Sequence, residues 1–337
     1  MKALVLCAGL GTRLRPLTET WPKPAVPLLG QPLLRYTLAA LRRAGVDQLA
    51  INTHHLPAMM EATARAEAAR AGCTLEVSYE PVIQGTAGGI RGLKRFLTDD
   101  VFVVWNGDIL FAVNLEQEIA AHRASGAAAT MVLMPMPRGE TYAAVEMDPA
   151  GRIARIAGRG PGAPRTAPWH FTGVHLLSPA VFDFMSPTGE EDINRAVYPR
   201  MLEKGLWVRG AVVQAYWSDL GTPARYLGAQ QDVLNGQVPL AAFPQASPFE
   251  GAAQRASAWV APGARVDAAQ VAGQSFFDRD ARVDPTARVG ASVYVGVGAR
   301  VGAGARVNRA AVFENTELGV GEELVDAIAW GERRLPI

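Results

Sequence analysis

The sequence predicts an α/β domain built on a mostly parallel sheet, followed by a short parallel β-helix. In residues 1–130, apolar runs typical of buried strands alternate with helical patterns. This alternation places helices on both faces of a largely parallel sheet. A period of six residues, which is typical of a parallel β-helix, then appears at Phe277, Val283, Val289, Val295, Val301, Val307 and Phe313.

Individual elements follow from apolar periodicity and from the proline and glycine residues that bound them. Gln31-Pro32 begins a helix that Gly45 ends, and Gly72 ends the next one. Helices are predicted at 31–45, 58–71, 87–97, 192–204 and 223–235. Strands are predicted at 3–7, 48–52, 73–79, 101–105, 127–134, 143–147, 153–156, 171–177 and 207–217.

Composition divides the chain into four segments. Residues 1–235 carry the alternating strand and helix patterns. Residues 236–257 hold three prolines among scattered glycine, alanine and serine, a composition typical of a linker. The β-helix is predicted at 258–320, and residues 321–337 are predicted to form a C-terminal tail.

Charge and cysteine content argue against several partners and compartments. The chain has 33 Lys and Arg against 32 Asp and Glu, so its net charge of +1 favours neither nucleic acid nor an anionic membrane. Two cysteines, Cys7 and Cys73, give no disulfide framework. No signal peptide and no membrane span is predicted. We therefore expect a cytoplasmic protein.

The turn after the first strand has the features of a phosphate-binding loop. Gly9 and Gly11 let the backbone turn tightly, and successive N–H groups in such a turn bind anions. A dinucleotide-binding loop requires a third glycine where Leu14 stands, and a Walker A sequence is absent. The candidate phosphate-contacting residues are Ala8, Gly9, Gly11, Thr12, Arg13 and Lys23.

The longer string around this turn is more specific. Ala-Gly-x-Gly-Thr-Arg-Leu-x-Pro-Leu-Thr, followed by Pro22-Lys23-Pro24, resembles the N-terminal motif of the sugar-1-phosphate nucleotidyltransferases. The resemblance implies a Rossmann-like mixed sheet, and it implies transfer of a nucleotidyl group from a nucleoside triphosphate to a sugar 1-phosphate. The six-residue repeats similarly resemble the left-handed β-helices appended to many of these enzymes.

Four residues are the candidate catalytic machinery. Asp108 and Asp219 each follow an apolar strand, in Gly-Asp and Trp-x-Asp-x-Gly-Thr-Pro strings that resemble the family. There the two carboxylates hold the catalytic Mg²⁺, and a magnesium ion takes one or two carboxylates plus substrate phosphates. The resemblance further implies that Arg13 contacts the leaving phosphates and that Lys23 reaches the α-phosphate.

Two further strings point to the base and the sugar. Gly85, Thr86 and Gly88 lie in a segment that resembles the family's base-contacting Gly-Thr-Ala-Gly, and we expect Thr86 to cap the helix that follows. Glu80 is either a surface residue or an acceptor for guanine, which favours GTP. On the acceptor side the candidates are Thr172, Gly173 and Arg159.

The acceptor side departs from the family pattern. The Glu-Lys-Pro string that usually binds the sugar and its phosphate is missing, and Arg159 is the candidate replacement for its lysine. Uridylyltransferases acting on N-acetylmuramate 1-phosphate also lack that pair. GTP with mannose 1-phosphate is the preferred substrate pair, and uridylyl or thymidylyl transfer to another sugar 1-phosphate is the alternative.

The repeat segment is expected to do no chemistry of its own. Hexapeptide-repeat acyltransferases use a histidine base, and all five histidines of this chain precede residue 176. We therefore expect a structural, regulatory or oligomerising role, with a homo-oligomer formed through the β-helix. A non-catalytic NDP-sugar-binding regulatory subunit is the alternative from another functional class.

Overall fold

The computed structural model describes residues 1–137, 139–161 and 168–337. Up to residue 219 the strands are β1 Lys2–Leu6, β2 Pro27–Leu28, β3 Gln31–Pro32, β4 Gln48–Thr53, β5 Thr74–Tyr79, β6 Phe102–Asn106, β7 Ile109–Phe111, β8 Ala129–Pro135, β9 Ala144–Met147, β10 Ile153–Ile156, β11 Trp169–Leu177, β12 Val208–Val212 and β13 Trp217–Asp219. The α-helices are α1 Leu17–Thr20, α2 Leu33–Arg43, α3 Pro57–Ala71, α4 Gly85–Gly92, α5 Lys94–Leu97, α6 Leu115–Ser125, α7 Tyr198–Glu203 and α8 Pro223–Leu234. A π-helical turn at Ile193–Val197 leads into α7.

The main sheet is mixed, with a parallel half and an antiparallel half. Its strand order is β10-β9-β11-β6-β1-β4-β5. Strands β6, β1, β4 and β5 run parallel, whereas β11 is antiparallel to β6. On its other edge β11 pairs with β8, which pairs with β12. The predicted α/β fold with a mixed sheet is confirmed, whereas the expectation of a mostly parallel sheet holds only for β6, β1, β4 and β5 and for the parallel pair of β8 and β12.

Alternation along the buried strands divides the core into two apolar layers. Successive side chains of a strand point to opposite faces, so Val5 and Val103 join one layer while Leu4 and Val104 join the other. Helices α2 and α3 cover the first face, and α4, α5 and α7 cover the second. In the described part of the chain, no helix combines the length and apolar character needed to cross a bilayer.

The C-terminal strands form three sheets in which most strands are stacked in parallel. They are β14 Ala253–Arg255, β15 Ala258–Val260, β16 Ser275–Phe277, β17 Arg282–Val283, β18 Arg288–Val289, β19 Val293–Val295, β20 Arg300–Val301, β21 Arg306–Asn308, β22 Ala311–Val312, β23 Glu317–Leu318, β24 Glu323–Val325, β25 Ala327–Trp330 and β26 Arg333–Pro336. The first and last of them, β14 and β26, pair antiparallel with β15 and β25. Arg282 pairs with Arg300 and Arg288 with Arg306, an offset of eighteen residues in each of two sheets. This arrangement is that of a parallel β-helix, and its handedness stays a prediction.

The segment predicted as a linker packs against both parts of the molecule. Phe243 is buried with its ring 5.7 Å from that of Tyr36 on α2. Phe249 stacks on Trp259 of β15 at 4.8 Å. Paired strands also continue past residue 320, as far as Pro336. The positions of the domain boundaries themselves stay predictions.

Three of the predicted elements differ in the structure. Gln31 and Pro32, predicted to begin a helix, form the short strand β3, and helix α2 begins at Leu33. The strand predicted at 207–217 is two strands in different sheets, because β12 pairs with β8 while β13 pairs with β7. The helix predicted at 87–97 begins earlier and is interrupted at Leu93. Gly85 is the first residue of α4 and has φ 70°. The helix therefore begins two residues before its predicted first residue.

The buried imidazole of His175 makes the free energy of unfolding depend on pH. It is buried on β11, with Nδ1 2.6 Å from the hydroxyl oxygen of Tyr198, and burial lowers its pKa to about 3. In the unfolded chain the pKa of a histidine is near 6.5. Between about pH 3 and about pH 6.5 the unfolded state therefore binds more protons than the folded state. Stability therefore falls as pH falls through this window, by about 1.4 kcal/mol per pH unit for this group.

Urea denaturation of wild type and His175→Asn between pH 6 and pH 4 checks this slope. The variant should be less stable at pH 7 yet lose stability less steeply on acidification. Tyr198→Phe is the matched control, since it removes the hydroxyl partner but leaves the imidazole buried, and it should keep the wild-type slope. Equal slopes for His175→Asn and wild type would contradict the assignment.

Candidate active site at the strand ends

A cavity of about 330 Å³ lies at the carboxyl ends of β1 and β6. These strands are parallel neighbours, with Leu6 opposite Asn106, so the turns that follow them meet at one edge of the sheet. Ligands of open α/β sheets bind at this edge. Most of the predicted site residues line this cavity: Ala8, Gly9, Gly11, Thr12, Arg13, Lys23, Glu80, Gly85, Thr86 and Asp108.

The glycine turn is tightly built around Gly11. This residue has φ 61°, and an added Cβ would fall 2.7 Å from Cγ2 of Thr18. The Thr18 hydroxyl donates to the Gly11 carbonyl at 2.8 Å, which anchors the turn to α1. At the start of the turn, the Cys7 N–H donates to Oδ1 of Asn52 at 2.8 Å.

Lys23 and Asp108 form an ion pair across the cavity. Nζ of Lys23 lies 2.7 Å from Oδ2 of Asp108. The lysine is buried, and a buried ammonium is costly unless an opposite charge compensates it. The pair therefore joins the loop after β1 to the turn after β6.

Asp219 lies on the strand beside the turn that holds Asp108. Strand β13 runs antiparallel to β7 with Asp219 opposite Ile109, and the Leu220 N–H donates to the Asp108 carbonyl at 3.0 Å. Both Asp219 oxygens accept from Nη1 of Arg225, at 2.7 and 2.8 Å. Burial raises the pKa of the Asp219 carboxyl, and the cations of Arg225 and Lys23 oppose that rise.

Gly221 brings Arg13 close to Asp219. A Cβ at this position would lie 3.1 Å from both Nη2 of Arg13 and Oδ2 of Asp219, so the two side chains approach each other over its backbone. Gly221 also lines the cavity. We did not predict it, although the glycine in Trp-x-Asp-x-Gly-Thr-Pro was the available signal.

Glu80 is buried and already accepts two hydrogen bonds from the protein. Its Oε1 accepts from Nδ2 of Asn52 at 2.8 Å, and its Oε2 accepts from the Gln84 N–H at 2.9 Å. Asn52 thus links the glycine turn to Glu80, a role that sequence analysis missed. Its only sequence signal is a polar residue near the end of the apolar strand β4.

The base-side residues differ from expectation in one respect. Thr86 does not cap α4, because the helix already begins at Gly85; instead its hydroxyl accepts from the Ile193 N–H at 2.8 Å. Gly85 packs closely, since an added Cβ would lie 2.5 Å from the Glu191 carbonyl oxygen. Gly88 lies within α4 with its Cβ position 2.6 Å from Cβ of Gln84, outside the cavity lining.

A second cavity, of about 700 Å³, is lined by Asp219, whereas Gly221, two residues further along the chain, lines the first cavity. Asp219 and Arg225 line the second cavity together with three aromatic rings that sequence analysis did not single out, those of Tyr142, His170 and Trp217. The His170 ring lies 4.2 Å from that of Tyr142 and 4.4 Å from that of Trp217. The cavity therefore combines an aromatic wall with an ion pair.

The acceptor-side residues predicted from sequence line neither cavity. The Thr172 hydroxyl donates to the Val132 carbonyl at 2.8 Å, and the Thr172 carbonyl accepts from Nε1 of Trp217 at 2.7 Å. Gly173 has φ 94°, and its Cβ position is 2.9 Å from Nδ2 of Asn106. Arg159 is exposed, with Nη1 3.4 Å from the Arg195 carbonyl oxygen.

Comparison with known proteins identifies the family. Residues 2–236 match the family described as Nucleotidyl transferase. The chain belongs to this family. The predicted resemblance to nucleotidyltransferases is thereby confirmed, and so is the prediction of an enzyme.

Two relatives and one solved structure show how far the similarity extends. Over 345 positions the chain is 29% identical to the UTP–glucose-1-phosphate uridylyltransferase of Synechocystis sp., covering 98% of this chain and 87% of the relative. It is 31% identical over 238 residues to the mannose-1-phosphate guanylyltransferase of Mycobacterium tuberculosis, covering 70% of this chain and 66% of that relative. The crystal structure of HddC from Yersinia pseudotuberculosis superposes with a TM-score of 0.58 at 20% identity, covering 68% of this chain and 98% of HddC.

The cavity region of this nucleotidyltransferase contains carboxylates, which are the type of side chain that binds a magnesium ion. Nowhere in residues 1–137, 139–161 and 168–337 do three His, Cys, Asp or Glu side chains group so as to hold a metal. Mg²⁺ does not require such a cage, because it binds through one or two carboxylates plus substrate phosphates. Asp108, in the turn before β7, and Asp219, on the neighbouring strand β13, are carboxylates of the kind that this donor set requires.

Gly107 tests whether the turn geometry matters for nucleotidyl transfer. An added Cβ would lie 2.7 Å from the Leu6 carbonyl oxygen and 3.0 Å from Cγ of Pro24. Gly107→Ala must therefore shift the turn and move Asp108 relative to Lys23. We expect kcat to fall about 100-fold, the usual cost of misplacing a catalytic group by about 1 Å.

The rate of pyrophosphate release measures this effect. Gly228→Ala is the matched control, because no atom lies within 4 Å of its Cβ position and it sits in helix α8. That variant should retain wild-type activity. A wild-type rate for Gly107→Ala would show that the turn tolerates displacement.

Proposed function

We propose that the chain transfers a nucleotidyl group from a nucleoside triphosphate to a sugar 1-phosphate and releases pyrophosphate. One observation carries the proposal: Arg13, Lys23, Asp108 and Asp219 converge at the strand ends, beside a glycine turn. This combination of cations, backbone donors and two carboxylates suits a triphosphate and a divalent ion. The names of the relatives support the same reaction class.

The reaction needs no general base in this proposal. A phosphate oxygen of the acceptor, already an anion, attacks the α-phosphorus and forms a new P–O bond. The bond from that phosphorus to the bridging oxygen breaks, and its electron pair leaves with pyrophosphate. Asp108 and Asp219 would hold Mg²⁺, which when bound supplies charge neutralisation and orientation of the phosphates.

The protein groups contribute positioning and fixed charge. The glycine-turn N–H groups and Arg13 bind the phosphates that leave, and Lys23 contacts the α-phosphate. Lys23 is held in place before substrate arrives, since it is buried and paired with Asp108. Charges fixed in advance stabilise a transition state without reorganisation, and one such contact is typically worth about 3–4 kcal/mol of barrier.

GTP with mannose 1-phosphate is the substrate pair that we propose. The guanylyltransferase relative supports it, and so does Glu80 at the base end of the cavity. Although two protein donors already reach the Glu80 carboxylate, about four acceptor positions exist on such a group. UTP with glucose 1-phosphate is the second candidate, because the uridylyltransferase relative aligns with 98% of this chain.

A substrate panel separates these possibilities. GTP, UTP, dTTP and ATP are each combined with mannose, glucose and N-acetylmuramate 1-phosphates, and pyrophosphate release is measured with Mg²⁺. We expect the highest rate with GTP and mannose 1-phosphate, while a preference for UTP and glucose 1-phosphate would select the second candidate. Binding of an NDP-sugar without turnover of any pair would favour a regulatory subunit instead.

Asp108→Asn tests the carboxylate assignment. The substitution keeps the shape of the side chain but removes its charge, so we expect kcat to fall about 10²–10³-fold. The control is Asp100→Asn, an exposed aspartate paired with Arg123 at the amino end of β6, opposite to the end that leads to Asp108, which should leave the rate unchanged. Full Mg²⁺-dependent turnover by Asp108→Asn would refute the role of this carboxylate in holding the metal.

A homo-oligomer formed through the C-terminal strands and a cytoplasmic location also belong to the proposal. Sedimentation of the full chain tests the first.

A further inference from the structure

The second cavity carries a cation that sequence analysis did not identify. Among the described residues that line it, Arg225 is the one permanently charged cation. His170 does not share this charge at neutral pH, because burial lowers the pKa of its imidazole to about 4. The acidic lining residues are Glu140 and Asp219.

Arg225 is held in a fixed orientation within this cavity. It lies in the first turn of α8, where its N–H donates to the capping Thr222 hydroxyl at 3.3 Å. Its guanidinium contacts Glu140 at 2.5 Å and Asp219 at 2.7 Å. It also lies over the Tyr142 ring, 5.6 Å from the centroid. A guanidinium oriented in this way can present its planar fork to a second anion.

Each of the two cavities is lined by its own cationic side chains. Arg13 and Lys23 line the cavity of the glycine turn, whereas Arg225 lines the cavity with the aromatic wall. A phosphate monoester carries a charge of about −1.5 to −2 at pH 7, so burying it in the second cavity requires a cation there. Asp219 lines the second cavity and binds Arg225, while Arg13 of the first cavity approaches it over Gly221.

We propose that Arg225 binds the phosphate of the acceptor sugar and so determines the affinity for that substrate. The proposal rests on the function proposed above. Asp219 would hold the metal ion, and Arg225, which the structure pairs with this carboxylate, would contact the acceptor's phosphate. The aromatic wall of Tyr142, His170 and Trp217 then faces the sugar. Arg159, exposed and outside both cavities, has no comparable position.

Steady-state kinetics of Arg225→Gln on the full chain test the proposal. The KM for the sugar 1-phosphate should rise about 10–100-fold, the range expected for losing charge-assisted hydrogen bonds, while the KM for the nucleoside triphosphate stays within about twofold. Arg209→Gln is the matched control, since Arg209 also pairs with a glutamate and its side chain is 23% exposed against 27% for Arg225. Both KM values of that control should equal those of wild type.

A binding measurement separates recognition of the phosphate from a general disturbance of the site. Calorimetric titration compares the sugar 1-phosphate with the same sugar lacking phosphate, for wild type, Arg225→Gln and Arg225→Lys. Wild type should prefer the phosphorylated sugar, Arg225→Gln should lose that preference, and Arg225→Lys should keep part of it. If Arg225→Gln does not fold, the intermediate KM of Arg225→Lys still tests the proposal.

The outcomes distinguish this inference from the proposed function. If wild type releases pyrophosphate and Arg225→Gln keeps its KM for the sugar 1-phosphate, the inference about Arg225 is wrong while the proposed function stands. The same holds if both KM values rise equally, since that would indicate a disturbed Asp219. If wild type releases pyrophosphate with no pair in the panel, the function itself fails and the inference with it.

Discussion

The ion pair between Lys23 and Asp108 is the contact on which the site depends. It joins a loop to a turn that are 85 positions apart in sequence, and it can do so because β1 and β6 are parallel neighbours whose carboxyl ends coincide. Its lysine is buried, so loss of the aspartate would leave an uncompensated charge, which is far more costly than loss of a surface pair. The surrounding packing, including Gly107 against the Leu6 carbonyl, fixes the geometry of this pair.

The C-terminal strands pack against the segment that precedes Lys23 and so help to position it. Trp21 stands two residues before Lys23, and its ring lies 5.5 Å from that of Phe313 and 6.3 Å from that of Trp330. Glu19 of the same loop pairs with Arg333 at 3.1 Å. Phe313 and Trp330 belong to the apolar cluster that also contains Val5 and Leu34 of the first domain. The loop that carries Lys23 is therefore packed between the sheet and the C-terminal strands, which gives those strands a role in its position.

The features that could be predicted best from the sequence are those that local residue patterns determine. The glycine turn follows β1 and Asp108 follows β6, as the apolar runs and the glycines in the sequence predicted. Asp219 was selected by its local string, but it ends the short strand β13 of a separate sheet rather than following one strand at 207–217. Asn52 and Arg225 were missed because their partners, Cys7 and Glu140, are distant in sequence and only the fold brings them together. Thr86 was misassigned for the same reason, since its partner at Ile193 competes with the local cap. The contribution of Arg159 to the acceptor site remains a prediction that its exposed position does not support.

The two carboxylates of the site are each paired with a different cation, Asp108 with Lys23 and Asp219 with Arg225. Burial raises the pKa of the Asp219 carboxyl, and the nearby Asp108 carboxylate adds to that rise, whereas the cations of Arg225 and Lys23 oppose it. In the proposed function Asp108 and Asp219 would hold the metal ion, and each carboxylate already has a cation beside it. Lys23 lines the cavity of the glycine turn and Arg225 lines the cavity with the aromatic wall, so the positive charge that one phosphate in each cavity requires is in place before a ligand binds.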